Sequence, residues 1–540
     1  MKLGELCQIA GIDCPRPLFS SEISGVTSDS RQVKEGSLFV CIKGLRYDGH
    51  LFIRRALCAG AAAIVAEEDA QWLAGDDAKD VSARIITVPK TRQSLACLLD
   101  AWYGSPSKKM KYIAVTGTNG KTSVSCVLKK IFESALYRCG LIGTVSCMSG
   151  DKRLVAPNRD ALANMTTPDP EQLYEMLGRM ACDGVEYVFI EATSHALALD
   201  KLAPLKFEAG IFTNLTPEHL DFHGDMEAYL EAKCKLFSAC RVAIINRDSE
   251  YYNEIVAHCR GKVVTCSAAG HSADYRAKGI VDDGVLGIGY TLCTARAVMK
   301  IKSQLPGRFS VMNTLEAAAC AAELGVRPAV IAGAIASVSG IEGRLERVKL
   351  GYDADFSVFI DYAHTPDALE NLLAAVRGFC HRGQRITVLF GCGGDRDHSK
   401  RPVMGEIATR LADTAIITSD NSRSEEPMDI IADILSGVGK RKNYRVIPDR
   451  REAIMRTVCG ASVGDIIILA GKGHEAYEIN REGRTPFCER RIVAEAMERR
   501  RGKYPGDGRE SRATGVTDTD TTNTDTTNTD TTDKHNGGRK

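Results

Sequence analysis

Short apolar runs, each closed by glycine or polar residues, recur along most of this chain and alternate with segments of helical spacing. Runs of that kind read as buried strands, and the longer periodic segments as helices. Near the N-terminus, Ser37–Ile42 and Ala62–Ala66 flank a helical Arg54–Gly60, which predicts a small α/β unit over residues 1–104. A Pro/Ser/Lys-rich stretch, 104–111, reads as a linker. The apolar run that begins at Lys111 opens a second unit, 105–339, with strands at Tyr187–Ile190, Ala209–Thr213 and Val242–Ile245 and a helix at Val311–Leu324. The chain restarts near Gly340, and Phe356–Ile360, Ile386–Phe390, Thr414–Thr418 and Ile466–Ala470 predict another sheet over 340–503. Strands that alternate with helices imply an α/β fold of mainly parallel sheets with helices on both faces.

Residues 504–540 break the pattern. Thr517–Asp533 repeats Thr, Asp and Asn without one apolar residue, so it cannot bury enough surface to offset its ordering entropy. A disordered tail is the expectation. With 540 residues the rest is too long for one core, and roughly three or four domains is the natural division. Lys and Arg total 70 against 69 for Asp and Glu, so no basic field points to nucleic acid or to a membrane surface. The 19 cysteines are scattered through apolar runs, as at Cys58, Cys97, Cys126 and Cys320, and no Cys-x-x-Cys pair has zinc spacing. Reduced thiols packed as small hydrophobes in a cytoplasmic protein fit that distribution. No apolar stretch approaches the length of a membrane span.

The densest chemistry lies in Lys111-Tyr-Ile-Ala-Val-Thr-Gly-Thr-Asn-Gly-Lys-Thr-Ser123. A strand feeding a glycine turn that opens a helix presents free N–H groups and a positive dipole end to an anion. Gly117 and Gly120 let the main chain approach a phosphate, Lys121 can neutralise it, and the Thr122 hydroxyl can hold Mg²⁺. The spacing, Gly-x-x-Gly-Lys-Thr, is shorter than the general P-loop, and a nucleotide triphosphate site is the reading. Glu191 closes the Tyr187–Ile190 strand, where a carboxylate is well placed for Mg²⁺ or its water. Thr213-Asn-Leu-Thr-Pro-Glu-His-Leu-Asp-Phe-His-Gly224 packs two histidines and two carboxylates into six positions after another strand. Lys233 follows on a helix.

Together, Thr116-Gly-Thr-Asn-Gly-Lys-Thr122, Glu191-Ala-Thr-Ser-His195, Thr213–Asp221, Ala232-Lys233, Leu305–Asn313, Gly343-Arg344, Asp361-Tyr-Ala-His364 and Gly391–Arg396 recur in the order of the Mur ligases. The resemblance runs from about Ser28 to about Glu498 and is strongest to the branch that adds the third residue of the peptidoglycan stem peptide. It implies a UDP-binding N-terminal domain, a central P-loop-type ATP domain, and a Rossmann-like C-terminal domain for the incoming amino acid. It also implies the reaction: ATP phosphorylates the D-Glu γ-carboxylate of UDP-N-acetylmuramoyl-L-Ala-D-Glu, and an amine displaces phosphate from the acyl phosphate.

By that resemblance Gly117, Thr118, Asn119, Gly120, Lys121, Thr122 and Ser123 hold the phosphates, with Asn313, Arg344 and Asp361 on the adenosine side. Lys121, Glu191, His219 and Lys233 become the catalytic set. Thr122 and Glu191 would serve one Mg²⁺, and His219 with a carbamylated Lys233 a second. Ser30, in Thr27-Ser-Asp-Ser-Arg31, together with Thr166, Thr167, Thr193 and Lys201, would contact the UDP-muramoyl dipeptide. Two departures fall here: Leu199 and Lys201 stand where relatives often carry Gln and Arg. Lys201 keeps a charge without the bidentate fork, and Leu199 cannot hydrogen-bond.

The added amino acid is read from Asp420-Asn-Ser-Arg-Ser-Glu-Glu-Pro427. Diaminopimelate-adding relatives carry Asp-Asn-Pro-Arg, whose arginine grips the distal carboxylate; lysine-adding relatives lack it. Arg423 offers that fork, and Arg396, Asp420, Asn421, Gly471 and Glu475 complete the expected pocket, with Glu475 suited to the distal ammonium. Ser422 in place of proline frees φ and presets Arg423 less firmly. Diaminopimelate is the expected substrate, with lysine the alternative. A folylpolyglutamate synthetase-like ligase and a non-catalytic nucleotide-binding relative are the competing readings. The expected partners are small molecules only, with neither nucleic acid nor membrane insertion, and the expected state is a monomer.

Overall fold

The computed structural model describes residues 1–44, 47–67, 84–154, 165–351, 354–381 and 383–503. The 504–540 segment expected to be disordered lies outside these residues. Three α/β sheets follow one another. The first is parallel, in the order β1 (Gly25–Thr27), β2 (Ser37–Val40), β3 (Ala63–Ala66), β4 (Ile85–Thr87). The helix between β2 and β3 covers Ile53–Cys58, shifted slightly from the periodicity.

The central sheet has eleven strands. In sequence these are β5 (Lys111–Thr116), β6 (Cys139–Ile142), β7 (Cys147–Ser149), β8 (Lys152–Arg153), β9 (Tyr187–Glu191), β10 (Phe207–Phe212), β11 (Cys240–Asn246), β12 (Lys262–Ser267), β13 (Tyr275–Asp282), β14 (Ile288–Cys293) and β15 (Val298–Ser303). Their spatial order is β15-β14-β13-β12-β11-β10-β5-β9-β6-β7-β8. β5 therefore sits inside the sheet, parallel to β9 and β10, and every residue after Lys111 is buried. A strand walled on both faces reads as a continuous apolar run, which is why the sequence shows it so plainly. Register pairs Thr116 with Phe212 and Val115 with Glu191, so the ends of β5, β9 and β10 lie side by side. From Gly120 a helix spans Lys121–Ser134 and seats Val124, Val127, Leu128 and Ile131 on the sheet. That i, i+3, i+4, i+7 spacing is one helix face.

The third sheet runs β16 (Glu346–Arg347), β17 (Ser357–Asp361), β21 (Ile466–Ala470), β18 (Ile386–Phe390), β19 (Thr414–Ile417), β20 (Tyr444–Val446), with a hairpin of β22 (Tyr477–Asn480) and β23 (Gly483–Pro486) beside it. β17, β21, β18 and β19 are parallel neighbours, so the segments leaving their C-terminal ends gather on one edge. Those segments are the ones singled out above: Asp361–His364, Gly471–Glu475, Gly391–Arg396 and Asp420–Pro427.

The presumed linker is not a free tether. Pro106 is buried in a single helical turn, Tyr112 Oη donates to its carbonyl at 2.8 Å, and Ser107 is bonded twice to Asp100. The first unit shares one apolar cluster with the central one, joining Leu38, Val40 and Ala63 to Leu98, Tyr112 and Leu173. The third sheet has cores of its own on its two faces. Among the described residues, no helix is long and apolar enough to cross a membrane.

Candidate active site

The phosphate turn is built so that only glycine fits at its two corners. Gly117 has φ +146°, and a Cβ there would lie 1.9 Å from Thr213 Oγ1; Gly120 has φ +88°, and a Cβ would meet Asn313 Oδ1 at 2.6 Å. The neighbouring loop holds the turn: Thr118 N donates to Asn214 O and Asn119 N to Asn214 Oδ1, both at 2.9 Å, while Thr213 Oγ1 donates to Asn119 O at 2.6 Å. Lys121 Nζ curls back onto the turn's own carbonyls, at 2.8 Å from Gly117 O and 2.7 Å from Thr118 O. Burial pushes its pKa down, because a desolvated ammonium without a paired carboxylate is costly.

Glu191 is almost fully buried and collects hydroxyls. Thr122 Oγ1 donates to its Oε2 at 2.9 Å, Thr144 Oγ1 to the same oxygen at 2.8 Å, and Thr144 N to Oε1 at 3.0 Å. Arg344 Nη2 donates to Thr122 Oγ1 at 3.0 Å from the other side of the junction. Asn119, Gly120, Thr122, Ser123, Asn313, Arg344 and Asp361 line one cavity of about 310 Å³ between the central and C-terminal sheets, with Gly117, Thr118 and Lys121 in the turn beside it. Asp361 gives both carboxylate oxygens to backbone N–H groups, Leu345 N at 2.6 Å and Ala363 N at 2.8 Å. Burial raises its pKa against the pull of Arg344.

Lys233 lies under the turn, 1% exposed, with Nζ 3.0 Å from Gly117 O and 4.4 Å from the Tyr229 ring centroid. Burial, reinforced by Lys121, drives its pKa well below the ordinary lysine value. An uncharged amine is the form that CO₂ carbamylates. His219 sits in left-handed backbone at φ +58°, its ring edge-on to His195 and its Nε2 3.6 Å from Glu218. Burial lowers the His219 pKa, favouring the neutral imidazole that can ligate a metal. Among the described residues no group of three or more His, Cys, Asp or Glu forms a cage for a metal. The Thr122 hydroxyl beside the Glu191 carboxylate is a hard oxygen pair that nonetheless fits Mg²⁺. This ion is usually held by one or two carboxylates together with substrate phosphates.

The hydroxyls expected to face the muramoyl peptide cluster at the end of β9. Thr167 Oγ1 donates to Glu191 O at 2.7 Å and lies 3.1 Å from Thr193 Oγ1, while Thr166 Oγ1 lies 3.0 Å from Thr144 Oγ1, whose proton goes to Glu191. Lys201 reaches the same segment, its Nζ donating to Asp169 Oδ1 at 2.8 Å. Ser30 lies on the loop after β1 and, among the described residues, makes no hydrogen bond to this group. That loop is fixed from the central unit, because Ser28 N donates to Glu171 Oε1 at 2.6 Å with Thr27 Oγ1 and Ser28 Oγ at 3.1 Å.

The amino-acid pocket is assembled from three strand ends. Arg423, at φ +52°, donates from Nη1 to Gly394 O at 2.7 Å and to Asn421 O at 3.4 Å. Burial and the neighbouring Arg396 lower its pKa, so two guanidiniums share this corner. Neither donates to a carboxylate among the described residues. Across the pocket Asn421 Nδ2 donates to Glu475 Oε2 at 2.8 Å, and burial together with Asp420 raises Glu475. Asp420 is buried, and its Oδ1 accepts from Asn421 N at 2.7 Å and faces Lys472 Nζ at 3.3 Å. Gly471, at φ +111°, is where a Cβ would meet Asp420 Oδ2 at 2.8 Å, so glycine keeps the two segments in contact.

Several participants were not picked out in the sequence. Glu218 lies within the quoted Thr213–Asp221 motif. Burial resists its ionisation, but His219, Lys121, His364 and Lys233 hold its pKa below the ordinary value. Thr144 orients Glu191 from a segment with no motif. Arg401, fully buried, clamps Glu425 through Nη1 and Nη2 at 2.9 Å and reaches Asp433 Oδ2 at 2.8 Å. Its Nη2 lies 3.3 Å from Gly393 O, and Glu425 Oε1 accepts Asp395 N at 2.5 Å, so Arg401 ties the loops of Arg396 and Arg423 together.

This fold and site define a class, the three-part α/β enzymes that bind a phosphate at a strand–glycine turn–helix and a second substrate on a separate sheet. Models described as Mur ligase family, catalytic domain, Mur ligase middle domain, and Mur ligase, glutamate ligase domain match residues 22–103, 115–321 and 343–473. A UDP-N-acetylmuramoyl-L-alanyl-D-glutamate--2,6-diaminopimelate ligase of Syntrophomonas wolfei is 39% identical over 512 residues, covering 93% of this chain and 100% of the relative. The ligase of the same name from Clostridioides difficile is 40% identical over 501 residues, covering 92% and 99%. A solved structure of a ligase of that name superposes with a TM-score of 0.65 at 30% identity, covering 92% of this chain and 99% of that one. Mycobacterium tuberculosis folylpolyglutamate synthase, with a TM-score of 0.56 and 18% identity over 76% of this chain and 95% of that one, shares the fold alone. The chain belongs to the Mur ligase family and is an ATP-dependent acid–amino-acid ligase.

Proposed function

We propose that the chain adds meso-diaminopimelate to the D-Glu γ-carboxylate of UDP-N-acetylmuramoyl-L-Ala-D-Glu, using ATP, in cytoplasmic peptidoglycan precursor synthesis. The observation that carries this reading is the pocket of Arg423 and Arg396 facing Asn421 and Glu475. Among the described residues the arginines lack a hydrogen-bonding carboxylate, and Glu475, bonded by Asn421 and Tyr477 and drawn by Lys472, lacks an ion-paired cation. The distal end of a diamino acid with a second carboxylate supplies both, whereas lysine would bring only an ammonium. The 39–40% identity to diaminopimelate ligases over nearly their full length supports the same choice.

In this reading residues 1–104 hold the UDP end through Ser30, residues 105–339 hold ATP, and residues 340–503 present the amino acid. The N–H groups of Gly117–Ser123 and the Lys121 ammonium take up phosphate charge, and Asn313, Arg344 and Asp361 bound the nucleoside end. Lys121 leaves its carbonyls when phosphate enters, since a charge-assisted bond to phosphate is the stronger one. Thr166, Thr167, Thr193 and Lys201 bring the D-Glu carboxylate toward the γ-phosphate. That carboxylate attacks phosphorus and releases ADP, which exchanges a poor oxide leaving group for phosphate. The amine of diaminopimelate then adds to the acyl carbon, and the tetrahedral intermediate expels phosphate. Positioning and charge neutralisation supply most of the acceleration. Mg²⁺ bound by Thr122 and Glu191, and a second ion by His219 and carbamylated Lys233, would neutralise phosphate charge.

The test is to offer the protein ATP, Mg²⁺, UDP-N-acetylmuramoyl-L-Ala-D-Glu and diaminopimelate, with ¹⁸O in the γ-carboxylate. Phosphate release that requires the acceptor, a product heavier by one diaminopimelyl residue, and one ¹⁸O carried into phosphate are expected. ATP hydrolysis indifferent to the acceptor would overturn the reading, and ¹⁸O-free phosphate would overturn the acyl-phosphate step.

A further inference from the structure

Asn119 of the phosphate turn and Thr216 of the loop after β10 both end on one atom of the C-terminal unit. Asn119 Nδ2 donates to Asp367 Oδ2 at 2.5 Å, and Thr216 Oγ1 donates to the same oxygen at 3.2 Å. The two donors are far apart in sequence and lie on separate loops, so one carboxylate oxygen ties both. Asp367 is itself held firmly. It occupies the first turn of the Pro366–Phe379 helix, whose Thr365 cap accepts Ala368 N through its hydroxyl. Leu369, Leu372, Leu373 and Val376 of that helix are buried in the core of the third sheet.

The backbone of Asn119 is already committed within the central unit, its N–H to Asn214 Oδ1 and its carbonyl to Thr213 Oγ1 and Asn214 Nδ2. Its side chain is therefore the arm that reaches across the junction. Thr216 is coupled to the turn independently, since its N–H donates to Thr118 Oγ1 at 3.0 Å. Removing the carboxylate would release Asn119 and Thr216 together, on both flanks of the turn.

We propose that Asp367 is a positioning residue for the nucleotide, holding the phosphate turn and the Thr213–Asp221 loop in register from the opposite unit. Nucleotide affinity then depends on a residue of the sheet that binds the amino acid, which links ATP binding to the joining of the two units. This rests on the nucleotide assignment made above. Asp367 also borders the same cavity, so a direct contact with the nucleotide is the rival that the experiment must separate.

The experiment titrates the full chain with a non-hydrolysable ATP analogue and Mg²⁺, using the unaltered protein, D367A, D367N, N119A and the D367A/N119A pair. Loss of two hydrogen bonds to a charged acceptor predicts affinity about tenfold weaker in D367A. D367N keeps an oxygen that accepts both donors and returns to within about threefold of the unaltered protein. In the N119A background D367A costs no more than about threefold, because the shared arm is already gone. In steady state, KM for ATP rises in D367A while KM for diaminopimelate stays within about twofold, a split that general loosening of the C-terminal sheet would not give. Unchanged analogue affinity in D367A, no recovery in D367N, or a full tenfold loss retained in the N119A background would each overturn the proposal. An unaltered protein that binds no analogue would overturn the nucleotide assignment itself, a result distinct from any of these.

Discussion

The glycine turn of the central unit and the loops of the C-terminal unit hold their charged groups in different company. Around the glycine turn Lys121 bonds main-chain carbonyls, and Arg344 and Glu191 meet on Thr122, while Arg344 Nε is buried with no hydrogen-bond partner among the described residues. In the C-terminal unit Arg423 and Arg396 stand together with no carboxylate in hydrogen-bond reach among the described residues, while Glu475 is bonded by Asn421 and Tyr477 and drawn by Lys472. A pair of guanidiniums without a hydrogen-bonding carboxylate discriminates strongly against a ligand that brings none.

The strongest break of this contrast is at Lys121. Lys121→Ala should lower ligation by about a thousandfold or more, since Lys121 is the side chain that bonds both the Gly117 and Thr118 carbonyls at the mouth of the turn, while thermal melting stays near the unaltered value. Next comes Arg423→Ala, expected to raise KM for diaminopimelate about a hundredfold with KM for ATP nearly unchanged. Measuring both constants in each variant sharpens the contrast, because either substitution moving both constants alike would erase it. Arg401→Met should act at one remove, raising KM for diaminopimelate about tenfold by freeing the loops it clamps, again without affecting ATP.

The smallest effect is on acid stability. Hydrogen bonds from Arg401 hold Glu425 at about 2, below the ordinary 4.5. A carboxyl with a folded pKa below its unfolded one takes up protons more readily when unfolded. Its stabilising contribution is therefore complete above about pH 4.5 and fades as pH falls toward about 2. Denaturant midpoints of the unaltered protein should drop between pH 5 and 3.5 by more than those of Arg401→Met. Equal drops would show that the clamp contributes no pH-dependent stability.

Much of this was legible in the sequence where local chemistry and fold coincide. Gly117 and Gly120 announce a turn that no side chain could enter, and the buried strands announce themselves as apolar runs closed by polar residues. The β13–β15 meander was not legible, because β13 has only one fully buried residue among its eight and its polar pattern resembles a loop. The 104–111 segment reads as a linker by composition, yet its proline is buried by a contact with Tyr112 that composition cannot encode. The ion pair of Asp420 with Lys472 was not legible either, because the two lie some fifty residues apart and only the adjacency of β19, β18 and β21 brings them together. Arg401 escaped notice for the same reason, since Glu425 and Asp433 become its partners only in three dimensions.

In the proposed reading Arg423, Arg396 and Glu475 together select the amino acid. The most direct measurement is the ratio of kcat/KM for meso-diaminopimelate to that for L-lysine, with ATP and the UDP-muramoyl dipeptide saturating. The account predicts a ratio of at least about a thousand, falling by about a hundredfold in Arg423→Ala. A ratio near one, or a ratio that Arg423→Ala leaves unchanged, would contradict it.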